Sequence, residues 1–197
     1  HSVFHIISPE IEEFVNDYFF FEFSSHSQEE FSFKVPPTGF PTLLFCFGDK
    51  GNYFQHKHLT NESIVVGQLS KHINLHPVNG TKILGVNFRP YGFYNLLGVS
   101  LKQLQNSAVE SAAIFAEEHI AAIESNLQSE NDIFTDIAQI EKMLLDHSKR
   151  VQKNDYLDRI VDEIVKKNGL LDPYTLFKGK TSIRSFQRYF SEVIGIN

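Results

Sequence analysis

The sequence predicts an α+β protein in which a β-rich N-terminal body is followed by helices. Three observations support this fold class. Short apolar runs separated by turn residues fill the chain to about Val99, and apolar spacing becomes helical between about Lys102 and His147. A capped, amphipathic segment then closes the chain. The expected parts are residues 1–100, 101–150 and 151–197.

The β-rich body is expected to begin with a short helix. Ser8-Pro9-Glu10 is a typical helix start, because serine caps a first turn and proline suits its first position; this helix should run to about Tyr18. Runs of β-branched and aromatic residues then predict strands near 19–23, 30–34, 42–47, 53–59, 64–67, 73–76 and 81–88. Many short strands at this spacing predict a β-barrel or β-sandwich.

Composition points to a cytoplasmic protein without a membrane partner. No apolar run approaches the ~18 residues that a membrane span needs, and no charged-then-apolar leader opens the chain. Cys46 lies within the apolar run Leu-Leu-Phe-Cys-Phe, so we expect it to be a buried small hydrophobe.

The middle part is expected to be a helical linker region. One apolar stripe at helical spacing consists of Ala108, Ala112, Phe115 and His119. A second consists of Ile133, Ile137, Ile140 and Leu144. A bend is expected within 125–132, and the polar stretch 149–154 marks the junction with the C-terminal part.

The C-terminal part is expected to be helical throughout. A leading amphipathic helix should run from Asp155 to Asn168, with Gly169 after its end. Its inward residues are expected to be Leu157, Ile160, Val161, Ile164 and Val165. A second short helix is expected from Pro173 to about Lys178, followed by a turn at 179–181.

The last helix should have an apolar side and a basic side. Ser182 is its expected N-cap and Gly195 its stop, and its apolar stripe comprises Ile183, Phe186, Phe190, Val193 and Ile194. Arg184, Arg188 and Ser191 recur on the opposite side, with Gln187 on the flank. Arginine pairs with guanine and glutamine with adenine in the major groove, so duplex DNA is the first partner to consider. An ordinary solvated helix face is the alternative.

The pattern Ser182-x-Arg184-x-Phe186-x-Arg188-x-Phe190, followed by Gly195, resembles the first recognition helix of the AraC/XylS family of bacterial transcription regulators. That family usually has Ser-x-x-x-Leu-x-Arg-x-Phe, so Phe186 replaces a leucine. The resemblance implies a helix-turn-helix whose base contacts fall on Arg184, Gln187 and Arg188. The segment before it is less similar, since Leu176-Phe177 stands where the family has Leu-Ala.

The body resembles such regulators less sharply, in Pro36–Phe47 and Gly85–Gly92. This resemblance implies a cupin-like N-terminal domain that binds a small-molecule effector, forms a homodimer, or does both. The expected function is thus sequence-specific DNA binding in transcription regulation, without enzymatic activity or a cofactor.

The charge distribution fits this division of the chain. Residues 1–147 carry 8 Lys+Arg against 18 Asp+Glu, a balance of −10, while residues 148–197 carry 10 against 6, a balance of +4. A basic C-terminal part suits phosphate contact. Lys178, Lys180 and the Thr181 hydroxyl are candidates for phosphate contact, with ordinary surface solvation as the alternative. Beside the three base-contacting residues, the expected DNA-binding set includes Lys180, Thr181, Ser182 and Ser185.

Family members carry two helix-turn-helix units, and the printed sequence stops at the first. The resemblance therefore predicts a chain that is truncated within the C-terminal DNA-binding domain. Such a chain should bind duplex DNA weakly or not at all, because specific affinity is summed over several contacts.

The alternative prediction is a cupin-type metal-binding protein without DNA-binding activity. His56, His58 and Glu62 nearly match the first metal motif of cupins, and His-x-His on one strand would place both rings on one face. The second cupin motif is absent, so the preferred interpretation assigns no metal. Arg89 is a further candidate, either for an anionic effector or for an internal salt bridge.

Overall fold

The computed structural model describes the chain except for residues 1, 5–6, 24–32, 49–52, 55–56, 59–62, 130–131, 150, 152, 171–180 and 197. The strands are β1 (Ser2–Phe4), β2 (Val15–Glu22), β3 (Phe33–Val35), β4 (Thr42–Gly48), β5 (Tyr53–Phe54), β6 (Lys57–His58), β7 (Ser63–Val66), β8 (Ile73–Leu75), β9 (Thr81–Phe88) and β10 (Ala108–Glu110). The α-helices are α1 (Gly92–Leu97), α2 (Glu117–Gln128), α3 (Ile133–Asp146), α4 (Asp155–Lys166) and α5 (Ile183–Tyr189). The fold class is α+β, as the sequence predicts.

The strands form two antiparallel sheets. The larger sheet has six strands in the order β1-β2-β9-β4-β7-β10, and the smaller has four in the order β3-β8-β5-β6. Each sheet has two free edges within the described residues, so neither closes into a barrel there. The barrel alternative in the sequence-based prediction is therefore wrong for this part of the chain, whereas a body of short antiparallel strands is confirmed.

Both faces of the six-stranded sheet are buried, because alternate residues of a strand point to opposite faces. On β4, Leu43 and Phe45 join the large core that also contains the helices. Leu44 and Cys46 point the other way, into a second core with Ile73 and Val35 of the smaller sheet. The larger sheet therefore lies between a helical layer and the smaller sheet, and Cys46 is buried as expected.

Helices α2 and α3 share one core with the larger sheet. Their buried residues Ile120, Ile123, Ile137 and Ile140 belong to the same cluster as Leu43 and Val86. A hydrogen bond crosses this layer as well, since the Tyr18 hydroxyl donates to Glu141 Oε1 at 2.9 Å. The expected stripe on α3 is confirmed, because Ile137, Ile140 and Leu144 are all buried.

The expected N-terminal helix is wrong. Residues 9–14 form turns, and strand β2 already begins at Val15, which pairs with Phe88 of β9. The helix-start signal at Ser8 is real but local, since the Ile11 and Glu12 amides both donate to Ser8 O. Pairing with the eight-residue strand β9 then overrides the local helical preference.

Two further predictions about secondary structure are wrong. Ala108 lies in strand β10, which pairs with β7, so it belongs to no helical stripe. The strand expected over 53–59 is instead two short strands, because Tyr53 pairs with His58 and Phe54 with Lys57 in antiparallel register. The described residues of this segment therefore do not form one continuous strand, and His56 of the His-x-His motif lies outside them.

Candidate nucleic-acid interface

Helix α5 begins at the cap that the sequence predicts. Ser182 has extended backbone angles, φ −85° and ψ 152°, and its Oγ accepts a hydrogen bond from the Ser185 amide at 3.1 Å. The same hydroxyl donates to Ser185 Oγ at 2.9 Å. Capping of this kind satisfies an amide that the helix leaves unpaired. Ser182 and Ser185 therefore fix the start of the helix.

The helix ends at the predicted glycine. After Tyr189 the chain widens into a π-helical turn, Phe190–Ile194, and Gly195 follows with φ 84°. The Gly195 amide donates to Phe190 O at 2.9 Å. A left-handed conformation of this kind favours glycine.

The inward side of α5 packs on α4. Phe186 and Tyr189 contact a small core around Leu157 and Ile160, and the rings of Phe186 and Phe190 lie 4.3 Å apart. Further along, Val193 and Ile194 are buried against Val161 and the tyrosines at positions 91 and 94. The predicted apolar stripe is confirmed except at its first member, because Ile183 is 46% exposed.

The inward side of α4 is also largely as expected. Leu157, Ile160 and Val161 are buried, whereas Val165 is 47% exposed, so its predicted inward position is wrong. Asn168 and Gly169 both have positive φ at the helix end, which agrees with the expected stop. Residues 171–180 lie outside the described part of the chain, and with them the expected second helix and Lys180.

The outward side of α5 carries the three residues that were expected to contact bases. Arg184, Gln187 and Arg188 are all exposed, and they line a shallow, open depression of about 460 Å³ together with Ser185 and Ser191. Neither guanidinium has a hydrogen-bond or ion-pair partner among the described residues. Thr181, just before the cap, is half-buried. The face thus offers free donors to an external partner.

Lys102 is a contributor that the sequence analysis missed. It lies in a single 3₁₀ turn of the N-terminal body, Lys102–Leu104, and lines the same depression as Arg184 and Arg188. Glu192 lines it too and brings a negative charge to its edge. No local pattern could reveal Lys102, because it lies far from α5 in the sequence and reaches it through tertiary packing.

The C-terminal helices are attached to the body by backbone hydrogen bonding. The Leu101 amide donates to Glu192 O at 3.0 Å, directly beside Lys102. A Cβ on Gly195 would lie 2.8 Å from Leu101 O, so a side chain at this position would disturb that contact. This close approach holds Lys102 next to the outward face of α5.

Buried polar contacts reinforce the attachment. Asp158 of α4 accepts hydrogen bonds from Asn95 Nδ2 of α1, at 2.9 Å, and from the Tyr189 hydroxyl. Nearby, the Tyr91 hydroxyl donates to Asp162 at 2.9 Å. Burial raises the pKa of Asp158 more than the hydrogen bonds from Tyr189 and Asn95 lower it, and burial likewise raises the pKa of Tyr189.

The raised pKa of Asp158 predicts a pH dependence of stability. The folded protein holds this proton to a higher pH than the unfolded chain, so the associated stability is full at acidic pH and is lost as pH rises through the raised pKa. An asparagine side chain at this position cannot ionise. We therefore expect the free energy of unfolding of the wild type to fall relative to that of Asp158→Asn as the pH rises above about 4, the ordinary pKa of an aspartate. Urea denaturation at several pH values measures this, and a relative gain of the wild type with rising pH would contradict it.

The other candidates from the sequence are placed as follows. Arg89 lines a polar cleft between the body and α4, where its Nε donates to Glu12 O at 3.2 Å. It forms no ion pair with another described residue, so the predicted internal salt bridge is not seen there. His56 and Glu62 lie outside the described residues, and only the backbone of His58 is described. No three His, Cys, Asp or Glu side chains within the described ranges are arranged to hold a metal ion.

Comparison with known protein families gives a match over the N-terminal half of this chain. The family model described as a domain of unknown function (DUF6597) matches residues 6–110, more than half of the sequence. The chain belongs to the DUF6597 family. Neither the curated proteins nor the solved structures contain a significant match. The DUF6597 segment spans strands β2 to β10 and helix α1.

The family match divides the depression between two parts of the chain. Lys102 and Leu101 belong to the DUF6597 segment, whereas Arg184, Gln187 and Arg188 lie beyond it. The outward face of α5 is therefore an addition to the DUF6597 segment, and the segment reaches its edge through the turn at Lys102. None of the described helices combines the length and apolar character that crossing a membrane requires.

Proposed function

We propose that this chain is part of a sequence-specific, DNA-binding transcription regulator similar to the AraC/XylS family, with α5 as the helix that enters the major groove. The carrying observation is the exposure of Arg184, Gln187 and Arg188 on one side of a capped helix whose opposite side packs, half-buried, against α4. These are the side-chain types that hydrogen-bond to guanine and adenine edges.

Two independent arguments support the same residues. Helical geometry turns the two arginines and Gln187 outward, and the resemblance assigns base contacts to these positions. Thr181, Ser182, Ser185 and Lys180 have a supporting role in this proposal, because they precede or open the helix in the sequence and their side chains can contact phosphates. Lys102 adds a positive charge from the body at the other edge of the face.

The N-terminal body has a regulatory role in this proposal. We assign to it a cupin-like fold that binds an effector or forms a dimer, in a regulator that is bacterial and cytoplasmic. Its two packed sheets support that role, and so does its direct hydrogen bonding to α4 and to the π-helical turn after α5. An effector bound in the body would then shift the position of α5 through the hydrogen bonds of Asp158 and Leu101, because each of these bonds joins the body to the C-terminal helices.

Duplex binding by the full-length protein tests the proposal. A preferred sequence is first selected from a pool of random duplexes, and affinities for it are then measured by fluorescence anisotropy at fixed salt. Arg184→Ala and Arg188→Ala are each expected to lose about 1–3 kcal/mol of binding free energy. Lys102→Ala should weaken binding to all sequences alike. It should also lower the slope of log affinity against log salt concentration by about one, as the loss of a phosphate contact does.

Arg159→Ala is the matched control. Arg159 is an exposed arginine on α4 whose Nε donates to Asp155 O of its own helix. Its substitution removes the same charge from the C-terminal part without touching α5. Equal losses in Arg159→Ala, Arg184→Ala and Arg188→Ala would show a general charge effect and would reject α5 as the recognition helix.

A further inference from the structure

A cavity lies between the two sheets of the body. Its volume is about 380 Å³, and it is bounded by the second apolar core on the larger sheet and by β3, β8 and the segment around Phe40. Phe19, Phe21, Leu44 and Ile83 form much of its wall. Cavities of this size and character are typical small-molecule sites.

One wall depends on a glycine. Phe19 on β2 pairs with Gly85 on β9, and its ring lies directly over that glycine. A Cβ at position 85 would lie 2.1 Å from Phe19 Cζ, so the ring could not stay there. Gly85 therefore lets Phe19 lie flat against the sheet and keeps the cavity open.

A row of three polar side chains crosses the otherwise apolar wall. Asp17, Asn87 and Thr42 sit side by side on the neighbouring strands β2, β9 and β4, and all three line the cavity. Asn87 Nδ2 donates to Asp17 Oδ1 at 2.8 Å, and Thr42 Oγ1 donates to Asn87 Oδ1 at 2.9 Å. Asn16 Nδ2 donates to the other oxygen of Asp17.

This bonding pattern leaves the row rich in acceptors. The Thr42 hydroxyl donates to Asn87 Oδ1 at 2.9 Å, with Phe40 O as a second acceptor at 3.4 Å, so the Thr42 oxygen keeps lone pairs that can accept a hydrogen bond. An ionised Asp17 is an acceptor alone, and one amide hydrogen of Asn87 is left as a donor. Asp17 is 8% exposed and forms no ion pair with another described residue. The wall therefore combines buried negative charge with apolar surface.

We propose that the cavity binds a small aromatic or branched hydrocarbon molecule that carries an amino group, with its ammonium held by Asp17 and Thr42. The apolar body of the ligand lies against Phe19 and Phe21, and its ammonium supplies the donors and the positive charge that the polar row lacks. This deepens, and rests on, the effector-binding part of the proposed function.

Lys34 is the charged group that faces the cavity from the smaller sheet. It is exposed, so its ammonium stays solvated at the rim and repels a cationic ligand weakly. A ligand with a carboxylate head would instead meet Lys34 at the rim and Asp17 inside. Lys34→Gln is therefore a charge control that should change the affinity for an amine by no more than about twofold.

Three probes of one carbon skeleton test the chemistry. 2-(1-Naphthyl)ethylamine, 2-(1-naphthyl)ethanol and 1-naphthylacetate are titrated into the wild-type chain in a calorimeter without DNA. We expect the amine to bind roughly 10- to 100-fold more tightly than the carboxylate, as for a hydrogen bond to a charged group, with the alcohol between them. Carboxylate binding as tight as amine binding, or no binding of the amine, would overturn the proposal.

Two variants locate the site. Asp17→Asn keeps the shape of the row and should remove the advantage of the amine over the alcohol. Gly85→Ala should drive the Phe19 ring into the cavity and weaken all three probes, although it leaves the polar row intact. Unchanged affinities in both folded variants would place the ligand elsewhere and overturn the proposal.

Circular dichroism shows whether each variant folds. If a variant does not fold, the relative affinities of the wild type for the three probes still test the proposal. DNA plays no part in these titrations. If the protein binds the amine but not DNA, α5 is rejected as a recognition helix and the cavity assignment stands. If it binds DNA but not the amine, the cavity assignment is rejected and α5 stands.

Discussion

Replacing Ile140 by alanine is expected to lower the free energy of unfolding by about 2–5 kcal/mol. Ile140 is fully buried on α3, in the core that α2 and α3 share with the larger sheet. Truncation removes apolar contacts and leaves a cavity, which the surrounding helices and sheet cannot close because both are held in place by the rest of the core. Urea denaturation followed by circular dichroism measures the loss.

The same experiment tests whether the helical layer and the sheet unfold together. If they share one core, sheet and helix signals should shift by the same amount in Ile140→Ala. Val165→Ala, a truncation at a 47% exposed helical position, should change stability by no more than about 0.5 kcal/mol. A small effect of Ile140→Ala, or separate transitions for helix and sheet, would contradict the shared core.

Replacing Gly92 by alanine should be nearly as damaging, at about 3 kcal/mol. A Cβ at position 92 would lie 1.9 Å from Phe14 O and 2.7 Å from Phe14 C, which are backbone atoms that cannot rotate away. Phe14 O also accepts a hydrogen bond from the Arg89 amide at 2.8 Å. The substitution therefore forces the start of α1 away from the segment before β2, and thermal unfolding measures the cost.

Gly39→Ala is the matched control for this substitution. Gly39 has φ 81°, but apart from Gly39 itself and its two chain neighbours, no atom of the described residues lies within 4 Å of a Cβ placed there. Alanine at this position should cost about 1–2 kcal/mol, the strain of a left-handed backbone. A loss at Gly92 no larger than at Gly39 would show that Phe14 and Gly92 are not in close contact.

The sequence predicted the helix that carries the candidate interface correctly where its signals were local. A serine cap, a helical apolar stripe and a terminal glycine depend on residues within a few turns of each other, and all three are found at Ser182, Phe186 and Gly195. Strands β4 and β9 were found for the same reason, since each carries most of its apolar residues within one short segment between turns.

The sequence failed where a partner distant in the chain decides the structure. Val15 joins a strand despite a helix-start signal, because β9 lies beside it. Ala108 joins a strand because β7 has a free edge. Lys102 reaches the face of α5 through the hydrogen bond between Leu101 and Glu192. None of these neighbours is visible to a pattern within one segment.

The polar row of the cavity shows the same limit. Asp17, Asn87 and Thr42 come from three separate strands, and each is unremarkable within its own run. Strand order and register bring them together. The acceptor-rich row that defines the proposed ligand could not be predicted without that register.

The central claim is that the outward side chains of α5 contact base edges. The most direct test is to measure the base preference at each position of the selected duplex. This is done for the full-length wild type, Arg184→Ala and Arg188→Ala. We predict that each substitution abolishes preference at one or two adjacent base pairs and leaves the others unchanged. Preference profiles that keep their shape in both variants, with affinity lowered uniformly or not at all, would contradict the claim.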